Sequence, residues 1–192
     1  MDQEVLKQLK AGDIVLYGGV TFISKAIQFM MRIQRAKQGL PIPRGTIASH
    51  AGTLVNLWGQ IYIAEARPEG IVVSPFLEKY RNSMESIKIL TPKKTYSISE
   101  GERISKLAIE DSLTPHRYDF FGIWFQLKMT LTGKWSGPTG DDAERKLYCT
   151  EAVATWANKI RPGTFTKEEA AGPLEVEFNK YYKIIYDGSK IE

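Results

Sequence analysis

Sulfur and imidazole are scarce in this chain: there is one cysteine, Cys149, and there are two histidines, His50 and His116. A single cysteine excludes an intramolecular disulfide. One Cys with two His also excludes a thiolate-rich structural zinc site, and neither an HExxH helix nor a CxxC pair occurs. Gly18-Gly19 is not followed by Gly-Lys-Ser/Thr at the spacing of a phosphate loop. The sequence therefore points to no metal and no cofactor. Long apolar runs are missing too: none approaches the roughly 18 residues of a membrane helix. Charge of one sign is also lacking, since 26 Lys and Arg against 22 Asp and Glu leave +4. That is short of a nucleic-acid footprint, so no nucleic-acid partner is expected. The opening Met-Asp-Gln-Glu-Val-Leu-Lys has no apolar core and no cleavage site. As written, the chain is expected in the cytoplasm, or in the periplasm or outside the cell where a leader has been trimmed.

What is present is the mix of an ordinary globular protein. The 192 residues are 43% hydrophobic and 11% aromatic, which fits one domain spanning residues 1–192. Ile14-Val-Leu-Tyr17 reads as a buried strand ended by Gly18-Gly19. Thr21 to Lys37 has helical spacing, with Ile23, Ala26, Ile27, Met30 and Ile33 on one stripe and Lys25, Arg32 and Arg35 off it. Strands are expected over His50 to Leu57, Gln60 to Ala66, Gly70 to Ser74 and Ser86 to Leu90. Ser99-Glu-Gly-Glu102 has capping-box spacing and opens a helix to about Leu113. Tyr118 to Thr130 reads as helical, Gly133 to Asp142 as a mobile loop, Cys149 to Lys159 as a helix and Tyr181 to Asp187 as a last strand. This order implies an α+β domain with antiparallel hairpins between helices.

Cys149 carries the most chemical information. In Tyr148-Cys-Thr-Glu-Ala-Val-Ala-Thr-Trp156, Cys149, Ala152, Val153 and Trp156 share helical spacing, which puts the sulfur on the apolar stripe of a first turn. Core burial is the ordinary fate of such a cysteine. The first turn, however, offers unpaired N–H groups and positive dipole, which favour a thiolate and can hydrogen-bond an oxyanion. His50 begins one strand, and Glu65 lies inside the apolar run Ile61-Tyr-Ile-Ala-Glu-Ala66. A carboxylate there is costly to bury unless partnered, although an exposed edge strand would also accommodate it. If Trp58-Gly59 is a two-residue hairpin loop, paired numbers sum to 117 and Gly52 lies opposite Glu65, diagonal to His50. A four-residue loop keeps both side chains on one face, and a three-residue loop separates them. With both on one face, Glu65 orients the imidazole that takes the thiol proton.

These residues also carry a resemblance. Gly-Asp-Ile-Val, Ser-His-Ala-Gly entering a strand, Glu-Ala one strand later, Tyr-Asp-Phe-Phe and Tyr-Cys-Thr-Glu-Ala-Val, spread from Gly12 to Trp156, resemble the YiiX-like branch of the NlpC-type cysteine peptidases. That family has a circularly permuted papain-like fold, an antiparallel sheet or partial barrel packed against helices. The resemblance implies Cys149 as nucleophile, His50 as base, Glu65 as orienting residue and Tyr118 in the substrate pocket or oxyanion site. Thr150 departs from the family, in which Ser more often follows the cysteine. The implied activity is amidase or peptidase hydrolysis of small peptides such as cell-wall stem peptides. Two alternatives remain: an acyltransferase or thiol lipase resembling lecithin-retinol acyltransferase, acting on an acyl substrate, or a non-catalytic binding domain. The basic Thr21 to Lys37 helix admits a membrane surface, but a core stripe with a solvated face explains it as well. His116 reads as a solvated loop residue. The tryptophans read as packing.

Overall fold

The computed structural model describes residues 3–19, 21–42, 47–83, 86–115, 117–118, 124–125, 128–129, 132, 134, 146–166 and 171–188, with only the backbone of 22, 23, 117, 118, 146 and 147. In chain order the elements are α1 (Gln3–Gln8), β1 (Ile14–Tyr17), α2 (Phe22–Lys37), β2 (His50–Leu57), β3 (Gln60–Arg67), β4 (Gly70–Pro75), α3 (Phe76–Tyr80) and β5 (Ile87–Pro92). They continue with α4 (Ile98–Leu113), β6 (Arg117–Tyr118), β7 (Lys146–Leu147), α5 (Cys149–Ile160), α6 (Pro173–Glu177) and β8 (Tyr182–Asp187). Six strands form an open sheet in the order β4-β3-β2-β1-β5-β8, with every neighbouring pair antiparallel. The fold is α+β, an antiparallel sheet packed against helices.

Strand register follows from turn chemistry. Trp58 and Gly59 have φ of 52° and 80°, the two positive values that a type I′ turn requires. This two-residue loop pairs Leu57 with Gln60 and carries the ladder up to Thr53 with Ala64. Alternation then puts Val15, Tyr17, His50, Gly52, Leu54, Ile63, Glu65 and Arg67 on one face of the sheet. Val15, Leu54 and Ile63 pack there with Phe76 and Tyr80 of α3. The other face carries Ile14, Leu16, Ala51, Val55, Ala64 and Ala66, which meet α4 and α5.

Three expectations change. The capping box of α4 uses Ser97 and Glu100, two residues before the pair with the same spacing at Ser99 and Glu102. Tertiary structure decides between them: Glu100 also receives Nε and a terminal nitrogen of Arg161, both at 2.8 Å, so α4 begins where it can grip the end of α5. On α2, Arg35 is buried and Ala26 exposed. Arg35 turns inward because it pairs with Glu177 and donates to the Pro41 carbonyl at 2.9 Å. The short helices α1, α3 and α6, and the β6–β7 pair, are too brief to show a period in the sequence. Of the expected Tyr118 to Thr130 helix, 124, 125, 128 and 129 are helical. The expected loop from Gly133 to Asp142 lies, apart from Lys134, outside the described residues, as do His116 and Trp135. No described helix is long and apolar enough to cross a membrane.

Asp13, just before β1, is fully buried: Oδ2 accepts the Lys10 amide at 2.9 Å, and Oδ1 has no hydrogen-bond partner. Burial pushes its carboxyl up to about 6, with Thr91 and Lys10 offsetting only part of the rise. A raised folded-state value means that Asp13 contributes its stability below its ordinary 3.8 and loses it as pH rises through about 6. Asp13→Asn should therefore gain on the native chain as pH rises from 4 to 7, by up to about 3 kcal/mol. Urea unfolding at the two pH values measures this, and an offset that stays constant would show that Asp13 does not titrate in that range.

Candidate active site

A carboxylate with no solvent exposure sits in the middle of the polar cluster. Glu65 is 0% exposed, and all its partners are protein groups. Oε1 accepts the hydroxyls of Tyr17 and Tyr80, each at 2.6 Å. Oε2 accepts the Lys79 ammonium and, at 3.3 Å, the Arg67 guanidinium. Two donors on each oxygen fill the four acceptor sites of a carboxylate. Four donors offset the cost of burying that charge, which would otherwise exclude Glu65 from a strand interior. Gly52 supplies the room: a Cβ there would lie 2.8 Å from Glu65 Cγ and 2.7 Å from Ile63 Cδ1.

His50 faces this carboxylate. Its Nε2 lies 3.6 Å from Glu65 Oε1 and is buried without a hydrogen-bond partner. Tyr17 pairs with His50 directly across β1 and β2, and their rings sit 4.8 Å apart. Tyr80 lies against the far side of Tyr17, with ring centroids 5.0 Å apart. Burial, then the Arg67 and Lys79 cations, hold the His50 imidazole down at about 3. Burial lowers the Lys79 ammonium to about 8 and pushes the Tyr80 hydroxyl up to about 12. Burial, reinforced by Tyr80, raises Tyr17 well above its ordinary range. At neutral pH the imidazole is therefore neutral and both phenols keep their protons.

Cys149 occupies the first position of α5 and is 4% exposed. The helix is buried almost all round, and Ala152, Val153, Trp156 and Ala157 pack into the core with it. Glu151 accepts the Tyr148 amide at 3.3 Å, and the Thr150 hydroxyl beside the cysteine is buried without a partner. The body of α5 lies on the sheet face opposite His50 and Glu65, so any meeting takes place at the strand ends, where β1 finishes at Tyr17 and β2 starts at His50. Tyr17 stands between the two sides: after burial and Tyr80, Cys149 adds a small electrostatic contribution to the rise of its hydroxyl. Tyr118 pairs in parallel with Leu147, two residues before the cysteine, which brings its backbone to the same region; its side chain lies outside the described residues.

The structure thus joins two of the expected residues, His50 and Glu65, and adds Tyr17, Tyr80, Lys79 and Arg67 around them. Arg67 was available from the register, because a sum of 117 sets it opposite His50. Tyr17 ended a legible strand, but an aromatic there reads as core. Lys79 and Tyr80 ride on a five-residue helix with no sequence period. The tryptophans divide: Trp156 is core, donating to Asp111 at 2.7 Å, whereas Trp58 is 94% exposed at its hairpin tip. Three surface cavities lie apart from the cluster, beside Phe165 and Leu174, between Leu6 and Leu77, and around Tyr96 and Ile98.

Neither a protein-family model nor a curated protein matches the chain. Among solved structures, it is similar to the crystal structure of the metalloprotein yiiX from Escherichia coli O157:H7. The TM-score is 0.54 at 17% identity, covering 93% of this chain and 97% of that one. At that identity the likeness is one of fold, which supports a YiiX-like architecture.

Gly52→Ala tests how the Glu65 seat is built. Ile63 Cδ1 is a flexible end, but Glu65 Cγ belongs to a side chain pinned by four donors, so the added methyl should cost about 1–3 kcal/mol. Thermal unfolding checks this, and an unchanged midpoint would mean that the strand yields freely at Gly52.

Proposed function

We propose that the chain is a cysteine hydrolase of the amidase or peptidase class, a YiiX-like relative of the permuted NlpC-type enzymes, acting on small peptides such as cell-wall stem peptides. The observation that carries this reading is a neutral imidazole whose buried Nε2 lies 3.6 Å from a pinned carboxylate and whose ring packs against Tyr17. The chain order of His50, Glu65 and Cys149 and the similarity to the yiiX fold support it further.

In this reading Glu65 faces Nε2 and leaves Nδ1 for the thiol proton. Because His50 starts neutral, it acts as a general base rather than as half of a standing thiolate–imidazolium pair. Sγ forms a bond to the amide carbonyl as its proton passes to His50, and first-turn N–H groups of α5 accommodate the oxyanion. Collapse breaks the C–N bond, and the imidazolium returns its proton to the leaving amine. Water, deprotonated by His50, then cleaves the thioester and restores the thiol.

The yiiX structure is titled a metalloprotein. In this chain the Glu65 oxygens are filled by two hydroxyls and two cations, His50 is the imidazole beside them, and Lys79 and Arg67 would repel a further cation. No group of three His, Cys, Asp or Glu suited to a metal occurs among the described residues. This donor set does not fit a metal ion, so the proposed chemistry runs through side chains.

A binding role without chemistry is the second reading, and the burial of Cys149 favours it. One experiment separates the two. The chain is incubated with γ-linked and ordinary small peptides, and in a parallel arm with phospholipid. Peptide cleavage with a thioacyl adduct on Cys149 is expected, lost in Cys149→Ser and reduced about 100-fold or more in His50→Ala. Iodoacetamide labelling of Cys149 should also slow in His50→Ala. Acyl transfer from phospholipid alone would move the centre to lipid substrates. Equal labelling in both proteins with no turnover would leave the binding role.

A further inference from the structure

We infer that Lys79 is a positioning residue that, with Tyr17, Tyr80 and Arg67, holds Glu65 in check and sets how strongly this carboxylate engages His50. The inference rests on the reading of His50 as the base, and deepens it by naming what controls that base.

The argument is one of occupancy. A carboxylate offers about four acceptor sites, and Glu65 has four donors: Tyr17 and Tyr80 on Oε1, Lys79 and Arg67 on Oε2. His50 would be a fifth donor, and the structure leaves it without a bond: Nε2 stops 3.6 Å short of Oε1, buried and unpartnered. A buried nitrogen in that state is costly unless another donor is displaced. The neighbouring cations add a second brake. Both lower the proton affinity of the imidazole, because a charged His50 would join Lys79 and Arg67 around a single carboxylate. The described titratable and charged groups that face the ring are Tyr17 from β1, Glu65 and Arg67 from β3 and Lys79 from α3, while Tyr80 of α3 and Cys149 of α5 act on Tyr17 behind them.

Lys79 is the adjustable member. Tyr17, paired with His50, and Arg67 sit on sheet strands, whereas Lys79 and Tyr80 belong to α3, and of these two Lys79 carries the charge. Losing its charge leaves Oε1 and its two tyrosines as they are, but removes one of the two cations that oppose a charged imidazole and leaves more of the Glu65 charge for His50. The geometry therefore lets an element outside the sheet set the protonation of the base without touching the thiol.

The test follows the two imidazoles of the full chain by NMR from pH 2 to 8, which brackets the native His50 midpoint at about 3, with His50→Gln assigning the signals. In Lys79→Met the His50 midpoint should rise by at least one pH unit, while Lys79→Arg, which keeps the charge, should restore the native midpoint. Tyr80→Phe, which removes one donor from Oε1, should raise it in the same direction and carries the test if Lys79→Met does not fold. An unchanged midpoint in either folded variant overturns the inference. The titration needs neither substrate nor a reactive thiol. A His50 that responds in a chain whose turnover ignores Cys149→Ser upholds the positioning role and removes the hydrolase reading.

Discussion

An ionised carboxylate buried in the middle of a β-sheet constrains everything around it. Glu65 can stand in β3 only while hydroxyls and cations fill its oxygens, since burying the bare charge would cost many kcal/mol. The donors come from three elements, Tyr17 on β1, Arg67 on β3, and Lys79 with Tyr80 on α3. The strand register, the missing side chain at Gly52 and the docking of a five-residue helix all serve that requirement. A helix as short as α3 has no stability of its own. It is held by Phe76 and Tyr80 in the core and by Lys79 on the carboxylate.

The other face of the sheet carries a helix instead of a charge. α5 is buried on nearly every side, and its two ends are anchored differently. At the N-terminus Glu151 closes back on Tyr148; at the C-terminus Arg161 forks onto Glu100 and stacks on Tyr96 at 4.3 Å. With the helix fixed at both ends, Cys149 is held at its buried first position. Tyr17 occupies the junction, joined by hydrogen bond to the carboxylate, by ring contact to the imidazole and by electrostatics to the thiol.

This arrangement has a chemical consequence. A papain-type ion pair needs an imidazole that holds its proton beside a thiolate, but two cations and burial push His50 the other way. An imidazole held neutral in this way does not pre-ionise a thiol, and its lowered proton affinity makes it a weak base for as long as those cations and that burial persist.

Much of the architecture could be read from residue order. The alternation in β2 and β3 left the pairing dependent on the length of the loop at Trp58-Gly59, and the two-residue turn of the structure selects the sum that puts His50 and Glu65 on one face, because side-chain direction in a strand has a period of two. The helical stripe beginning at Cys149 was likewise legible, as was the α+β class. The start of α4 was ambiguous between two identical spacings, and Arg161 decided it. What only the tertiary structure decided was the environment of the carboxylate. Lys79 and Tyr80 lie on a helix too short to show a period, and Tyr17 reads as core until its hydroxyl is seen to have a partner. Local sequence sets which way a side chain points. The packing of distant elements sets how deeply it is buried and which charges it meets, and burial first, then those charges, keep His50 without a proton.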